Sequence, residues 1–141
     1  MTSFLLDTNV VSETAKPRPA ERVLAWIATL ERLSISAITA YELSVGVERL
    51  PAGRRRRFLS SWLAALLGGR AEVLPFDQDA ALQAAAIQAA ARRQARSIEE
   101  RDLFILSVAG ARKLTVATRN VADFRGHGVA VYDPFEDAHF S

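Results

Sequence analysis

The chain has no cysteine among its 141 residues. Disulfides, thiolate metal sites and thiol nucleophiles are therefore excluded, and the absence agrees with a cytoplasmic home without establishing one. Histidine is nearly as scarce: there are two, His127 and His139, both close to the C-terminus. A Ser-His-Asp arrangement would need His127 to reach the strand ends, and no Gly-x-Ser-x-Gly elbow is present. Zinc held by clustered histidines lacks its ligands. A P-loop and a dinucleotide glycine fingerprint are missing too. No apolar run approaches the ~20 residues of a membrane span. The N-terminus carries no basic segment followed by an apolar core, so neither an anchor nor a secretory leader is expected.

Half of the residues are hydrophobic, and the aliphatic ones are spread along the whole length. That composition supports a packed core and one domain over residues 1–141. The formal charge is only +2, yet the basic residues are nearly all arginine. Arginine's planar fork suits phosphate or carboxylate. A GC-rich coding bias gives the same composition, and both explanations stand.

Apolar periodicity predicts short strands alternating with helices. Phe4-Leu5-Leu6 reads as a buried first strand that ends at Asp7. Pro17 and Pro19 break the pattern, and residues 20–32 read as a helix with Val23, Trp26, Ile27 and Leu30 on one face. Residues 34–38 form a second strand. Thr39 is expected to cap a helix to residue 50, with Glu42 closing a capping box. Residues 54–67 form a helix that ends at Gly68-Gly69. A third strand falls at 73–76, and Asp77 caps an alanine-rich helix reaching residue 96. Residues 101–112 are apolar nearly all round, which marks a helix buried on most sides. Strands follow at 114–118 and 129–132, and Asp133-Pro134 is expected to end regular structure. The alternation predicts an α/β fold with a parallel sheet covered on both faces.

With thiols and histidines set aside, carboxylates remain. Asp7 ends the first strand, Glu42 sits early in the helix after the second, and Asp102 opens the buried helix before the fourth. Strand ends and helix N-termini share one edge of such a sheet. Asn120, past the fourth strand, adds a polar group there. Clustered carboxylates repel one another, and a divalent cation removes the conflict. Mg²⁺ and Mn²⁺ prefer oxygen ligands and can activate water against a phosphodiester. Each acid also has a plainer explanation: Asp7 as a helix cap, Glu42 as a capping-box residue, Asp102 and Asn120 as caps of their own helices. Arg54-Arg55-Arg56-Arg57 is either a guide for an RNA backbone or a solvated helix start. Phe58, Trp62, Leu63 and Leu66 at helical spacing are core residues or groove contacts for a partner.

The combined pattern resembles the PIN domain, and within it the VapC-type toxins of bacterial toxin–antitoxin pairs, FitB-like subgroup. The matching pieces are Leu5-Leu6-Asp7-Thr8-Asn9-Val10-Val11-Ser12-Glu13, residues 33–38 with Thr39 and Glu42-Leu43, and Leu74-Pro75-Phe76-Asp77. Asp102 with Ile105 and Ala109, and residues 114–120, complete the order along nearly the whole chain. The resemblance implies a three-layer α/β/α fold with a central parallel sheet and Mg²⁺- or Mn²⁺-dependent ribonuclease activity. It carries over Asp7, Glu42 and Asp102 as the metal-holding acids. The family's fourth acid often falls where this chain has Asn120, which carries no charge and puts a second metal in doubt. Asp123 would substitute if the backbone brought it round. Asn9, Thr118 and Arg119 are candidates for orienting substrate or ligands. The resemblance also implies a homodimer, a VapB/FitA-like antitoxin that occludes the acidic site, and DNA contact only through that antitoxin. Two rivals remain in the sequence: a catalytically weak PIN module serving mainly as partner of a DNA-binding antitoxin, and a Mg²⁺-dependent phosphatase. The phosphatase lacks its Asp-x-Asp motif, since Asn9 stands at the second acid.

Overall fold

A computed structural model describes residues 2–141. Strand β1 (Phe4–Leu6) leads into a short helix α1 (Thr8–Val11), a 3₁₀ turn (Ser12–Ala15) and helix α2 (Glu21–Ala28). Strand β2 (Leu33–Ser36), helices α3 (Ala37–Glu48) and α4 (Arg54–Ala65), a widened turn (Leu66–Arg70) and strand β3 (Ala71–Leu74) follow. Helices α5 (Gln78–Arg93) and α6 (Glu100–Ala111), strand β4 (Thr115–Ala117), helix α7 (Val121–Phe124) and strands β5 (Val131–Asp133) and β6 (Ala138–Phe140) complete the chain.

Strands β1, β4 and β5 pair in parallel, with Leu5 opposite Val116 and Leu6 opposite Ala117. The parallel pair β2–β3 packs beside β1. Alternation along each strand divides the core between two faces. Leu5 and Val116 join Ile105, Leu106 and Val108 of α6 on one side. Leu6 and Ala117 meet Val10, Val23, Ile35, Leu43 and Leu63 on the other. Helix α6 buries Leu103, Ile105, Leu106, Val108 and Ala109, which is the nearly all-round apolar pattern expected of it. The result is the three-layer α/β/α arrangement.

Several boundaries differ from expectation. Helix α2 stops at Ala28 rather than residue 32, because Thr29 turns its hydroxyl back onto the Trp26 carbonyl (2.6 Å) and Leu33 is already paired. Strand β3 begins at Ala71 and ends before Pro75, which has no amide hydrogen to offer a ladder. The C-terminal segment is not an irregular tail. Asp133 Oδ1 accepts from the Phe135 amide (2.8 Å) and Tyr132 donates to Asp137 (2.9 Å), which turns the chain back as β6. Strand β6 pairs antiparallel with β5, so the sheet is mixed at that edge.

Buried Glu13 fixes the loop between β1 and α2. Its Oε2 accepts from the Ala20 amide (2.8 Å), and Lys16 Nζ lies 2.8 Å from Oε1, off the hydrogen-bonding directions. The Lys16 contact, opposed by burial and aided by the Ala20 amide, lowers the Glu13 carboxyl below its ordinary value.

Two stability measurements test this account. Leu106→Ala removes a fully buried side chain between α6 and the sheet and is expected to cost about 2–5 kcal/mol in urea unfolding. Glu13→Gln is expected to cost about 1–3 kcal/mol at neutral pH. Because the folded pKa is depressed, this difference is full above the ordinary glutamate pKa and shrinks as pH falls through the folded value. A difference that stayed constant down to acid pH would contradict the role given to Glu13.

Candidate active site

The parallel register of β1 and β4 builds the floor of the site. The Asp7 amide donates to the Ala117 carbonyl (2.9 Å), which sets Thr118 beside Asp7 at the carboxyl edge of the sheet. Asp7 is fully buried, and both of its oxygens are bonded. Oδ2 accepts from Thr118 Oγ1 (2.8 Å) and Asn9 Nδ2 (3.2 Å). Oδ1 accepts from the Thr8 amide (2.7 Å), the helix-cap role considered from sequence, and also from Arg101 Nη2 (2.7 Å).

Glu42 does not form the expected capping box. Ser36 is the cap of α3, its hydroxyl accepting from the Thr39 amide (3.1 Å), so the cap lies three residues earlier than expected. That start leaves Glu42 beyond the free amides of the first turn. Its Oε1 accepts instead from Thr8 Oγ1 (2.7 Å), and its Oε2 pairs with Arg101 Nε. One turn beyond Glu42, nothing lies within 4 Å of where a Cβ on Gly46 would project.

Asp102 lies in the first turn of α6 but does not cap it; the capping position is Glu99, which makes no side-chain bond. Asp102 Oδ1 accepts from Arg101 Nη1 (2.6 Å). Burial raises the Asp102 pKa, Arg101 opposes the rise, and the charges of Asp123 and Asp7 add to it. Asp123, exposed on α7, is thus near enough to be felt at Asp102.

Asp7, Glu42 and Asp102 therefore meet around a single guanidinium, each giving one oxygen to a different nitrogen of Arg101. Burial works against the charge of Arg101, but Glu42 and Asp7 outweigh it and push its pKa higher still. Asn9 also joins the site, its Oδ1 accepting from the Arg119 amide (3.1 Å). The Arg119 guanidinium turns to the Phe135 ring, 4.4 Å from its centroid. Asn120 is exposed; its amide donates to Thr118 Oγ1 (3.0 Å), and its side chain does not cap α7. Sequence reasoning did not single out Thr8 or Arg101. A cation in the first turn of a helix opposes the macrodipole, and that misfit in Glu99-Glu100-Arg101-Asp102 was the available signal.

Three carboxylates around one positive charge are a donor set suited to a hard divalent cation. Among the described residues, no three acidic or histidine side chains lie close enough to coordinate an ion as they stand. The carboxylates are instead spread around the guanidinium.

The basic run on α4 divides. Arg56 donates to the Leu50 carbonyl (2.8 Å) after α3, while Arg54, Arg55 and Arg57 are exposed. Leu63 and Leu66 are core residues, Trp62 Nε1 donates to Thr14 (3.1 Å), and Phe58 is exposed.

Residues 4–126 match the family described as the PIN domain. Toxin FitB of Neisseria gonorrhoeae is 40% identical over 140 residues, 95% of this chain and 99% of that protein. The VapC ribonuclease Y4jK of Sinorhizobium fredii is 40% identical over 141 residues, 96% of this chain and 99% of its own. Among solved structures, FitAB bound to the IR36 DNA fragment superposes with a TM-score of 0.84 at 38% identity, covering 94% of this chain and 95% of the matched one.

Thr118→Val keeps the side-chain shape but leaves a buried oxygen of Asp7 without its shortest partner. The expected cost is about 1–3 kcal/mol, read as a lower midpoint in thermal or urea unfolding. An unchanged midpoint would show that Thr118 does not support Asp7.

Proposed function

The chain belongs to the PIN domain family, and on that premise we propose that it is a metal-dependent endoribonuclease toxin of a toxin–antitoxin pair. The observation that carries the reading is the meeting of Asp7, Glu42 and Asp102, from β1, α3 and α6, around one cation position. The relative named a VapC ribonuclease supports cleavage over the binding-module alternative. Mg²⁺ or Mn²⁺ is the proposed cofactor, since all the available donors are oxygens.

In this mechanism Asp7 and Asp102 would hold the ion. When bound, the ion supplies charge neutralisation at the phosphodiester and favours ionisation of water. Glu42 completes the site or orients the attacking water. The water gives up a proton to solvent as its oxygen forms a bond to phosphorus, the opposite P–O bond breaks, and the leaving oxygen takes a proton from solvent. Asn9 and Thr118 fix the Asp7 carboxylate through Oδ2. Arg119 and Asn120, both exposed beside them, are proposed to meet the RNA. With Asn120 neutral where the family often has an acid, the site is proposed to work with one strongly held ion.

The partners proposed are a FitA/VapB-like antitoxin and a second copy of the chain, with DNA engaged only through the antitoxin. The likeness to FitAB on DNA supports this set. No helix among the described residues is long and apolar enough to cross a membrane. Action in the bacterial cytoplasm is part of the proposal, as is treatment of residues 1–141 as one functional unit.

The test is cleavage of structured RNA by antitoxin-free protein with Mn²⁺ or Mg²⁺, with EDTA, and by Asp7→Asn and Asp102→Asn. Loss of even an outer-shell partner commonly costs 10–100-fold, so losing a ligand should lower cleavage by at least about a hundredfold. EDTA should abolish it. Equal cleavage by wild type and both variants would overturn the assignment.

A further inference from the structure

Arg101 is placed oddly for a structural residue. It stands in the first turn of α6, where the helix macrodipole disfavours a cation. Its guanidinium nevertheless reaches three carboxylates on three elements, Nε to Glu42, Nη1 to Asp102 and Nη2 to Asp7. Two of the acids have further supports. Asp7 Oδ2 is held by Thr118 and Asn9, and Glu42 Oε1 by Thr8, whose hydroxyl also accepts from Arg101 Nη2 (3.3 Å). The three oxygens that Arg101 takes are Asp7 Oδ1, Glu42 Oε2 and Asp102 Oδ1, one from each acid. The arginine side chain is 31% exposed, so one side of it is open to solvent.

We propose that Arg101 is an internal counter-ion holding the place of the divalent cation, and that metal binding requires it to leave. Resting on the metal-dependent reading of the acidic cluster, the inference makes the two occupants mutually exclusive. Asp7, Glu42 and Asp102 satisfy either the guanidinium or the ion. The spread of the carboxylates around Arg101 explains why they do not form a coordination set as they stand. Removing the guanidinium removes a competitor, so metal affinity should rise, while the ion-free protein should lose stability as the three acids repel.

The test measures Mn²⁺ affinity by electron paramagnetic resonance and thermal midpoints without and with Mn²⁺, for wild type, Arg101→Gln, Arg101→Lys and Asp7→Asn. Linked sites commonly couple by about 5- to 150-fold, and Arg101→Gln is expected to bind Mn²⁺ at least about tenfold more tightly. Its midpoint should be lower than wild type without metal and recover more on adding Mn²⁺. Arg101→Lys, which keeps a charge but loses the fork, should fall between and remains informative where the glutamine variant folds poorly. Equal affinity in wild type and both Arg101 variants, with Asp7→Asn deficient, would overturn the inference and leave the metal site standing. Absence of Mn²⁺ binding in every variant would overturn the metal reading and the inference with it.

Discussion

Burying a carboxylate costs several kcal/mol unless its oxygens are bonded, and Asp7 is fully buried at the end of β1. The surrounding structure answers that constraint group by group. The β1–β4 register brings Thr118 to one oxygen, the sharp entry into α1 brings the Thr8 amide to the other, and Asn9 closes from the side. Thr8 then carries the network onward, because its hydroxyl donates to Glu42 on α3. What looks like a set of separate strand-end residues is one hydrogen-bonded unit with Asp7 at its centre. The apolar layers on both faces keep it dry from below, with Leu5 and Leu6 fully buried beneath it.

The fold was largely legible because its signals are local. Short apolar strands and one-faced helices announce themselves through periods of 2 and 3.6, and the buried helix α6 was readable from composition alone. Boundaries fared worse where a side chain competed with the backbone. Ser36 took the cap expected of Thr39, and the Asp133 turn made a strand from a segment that looked like a tail. The acids of the site were legible because strand ends and helix starts share one edge. Arg101 was not, since its role depends on reaching acids 59 and 94 residues away in sequence. Nothing in local pattern states that distance.

The charge arrangement also separates two roles that sequence merges. Glu13 and Asp7 stand in the same opening segment, both are acidic and both are buried. Glu13 faces the Ala20 amide and Lys16 and fastens the loop that follows. Asp7 faces the shared guanidinium. The first fastens a loop, and the second is one of three acids gathered from three elements around Arg101. Asp77, which caps α5 through the Ala80 amide and pairs with Arg112, belongs with Glu13.

The partners of Asp7 are far along the chain: Arg101 is 94 residues away and Thr118 is 111. Among the described residues β1 pairs with β4 alone, so it has no ladder until residues 115–117 are in place. Contacts of such long separation form late, after the cost of closing the intervening loop has been met. A partly made chain on the ribosome therefore carries Asp7 without the groups that organise it. A chain that stops before residue 101 holds the first acid of the cluster with neither Arg101 nor Thr118 to meet it.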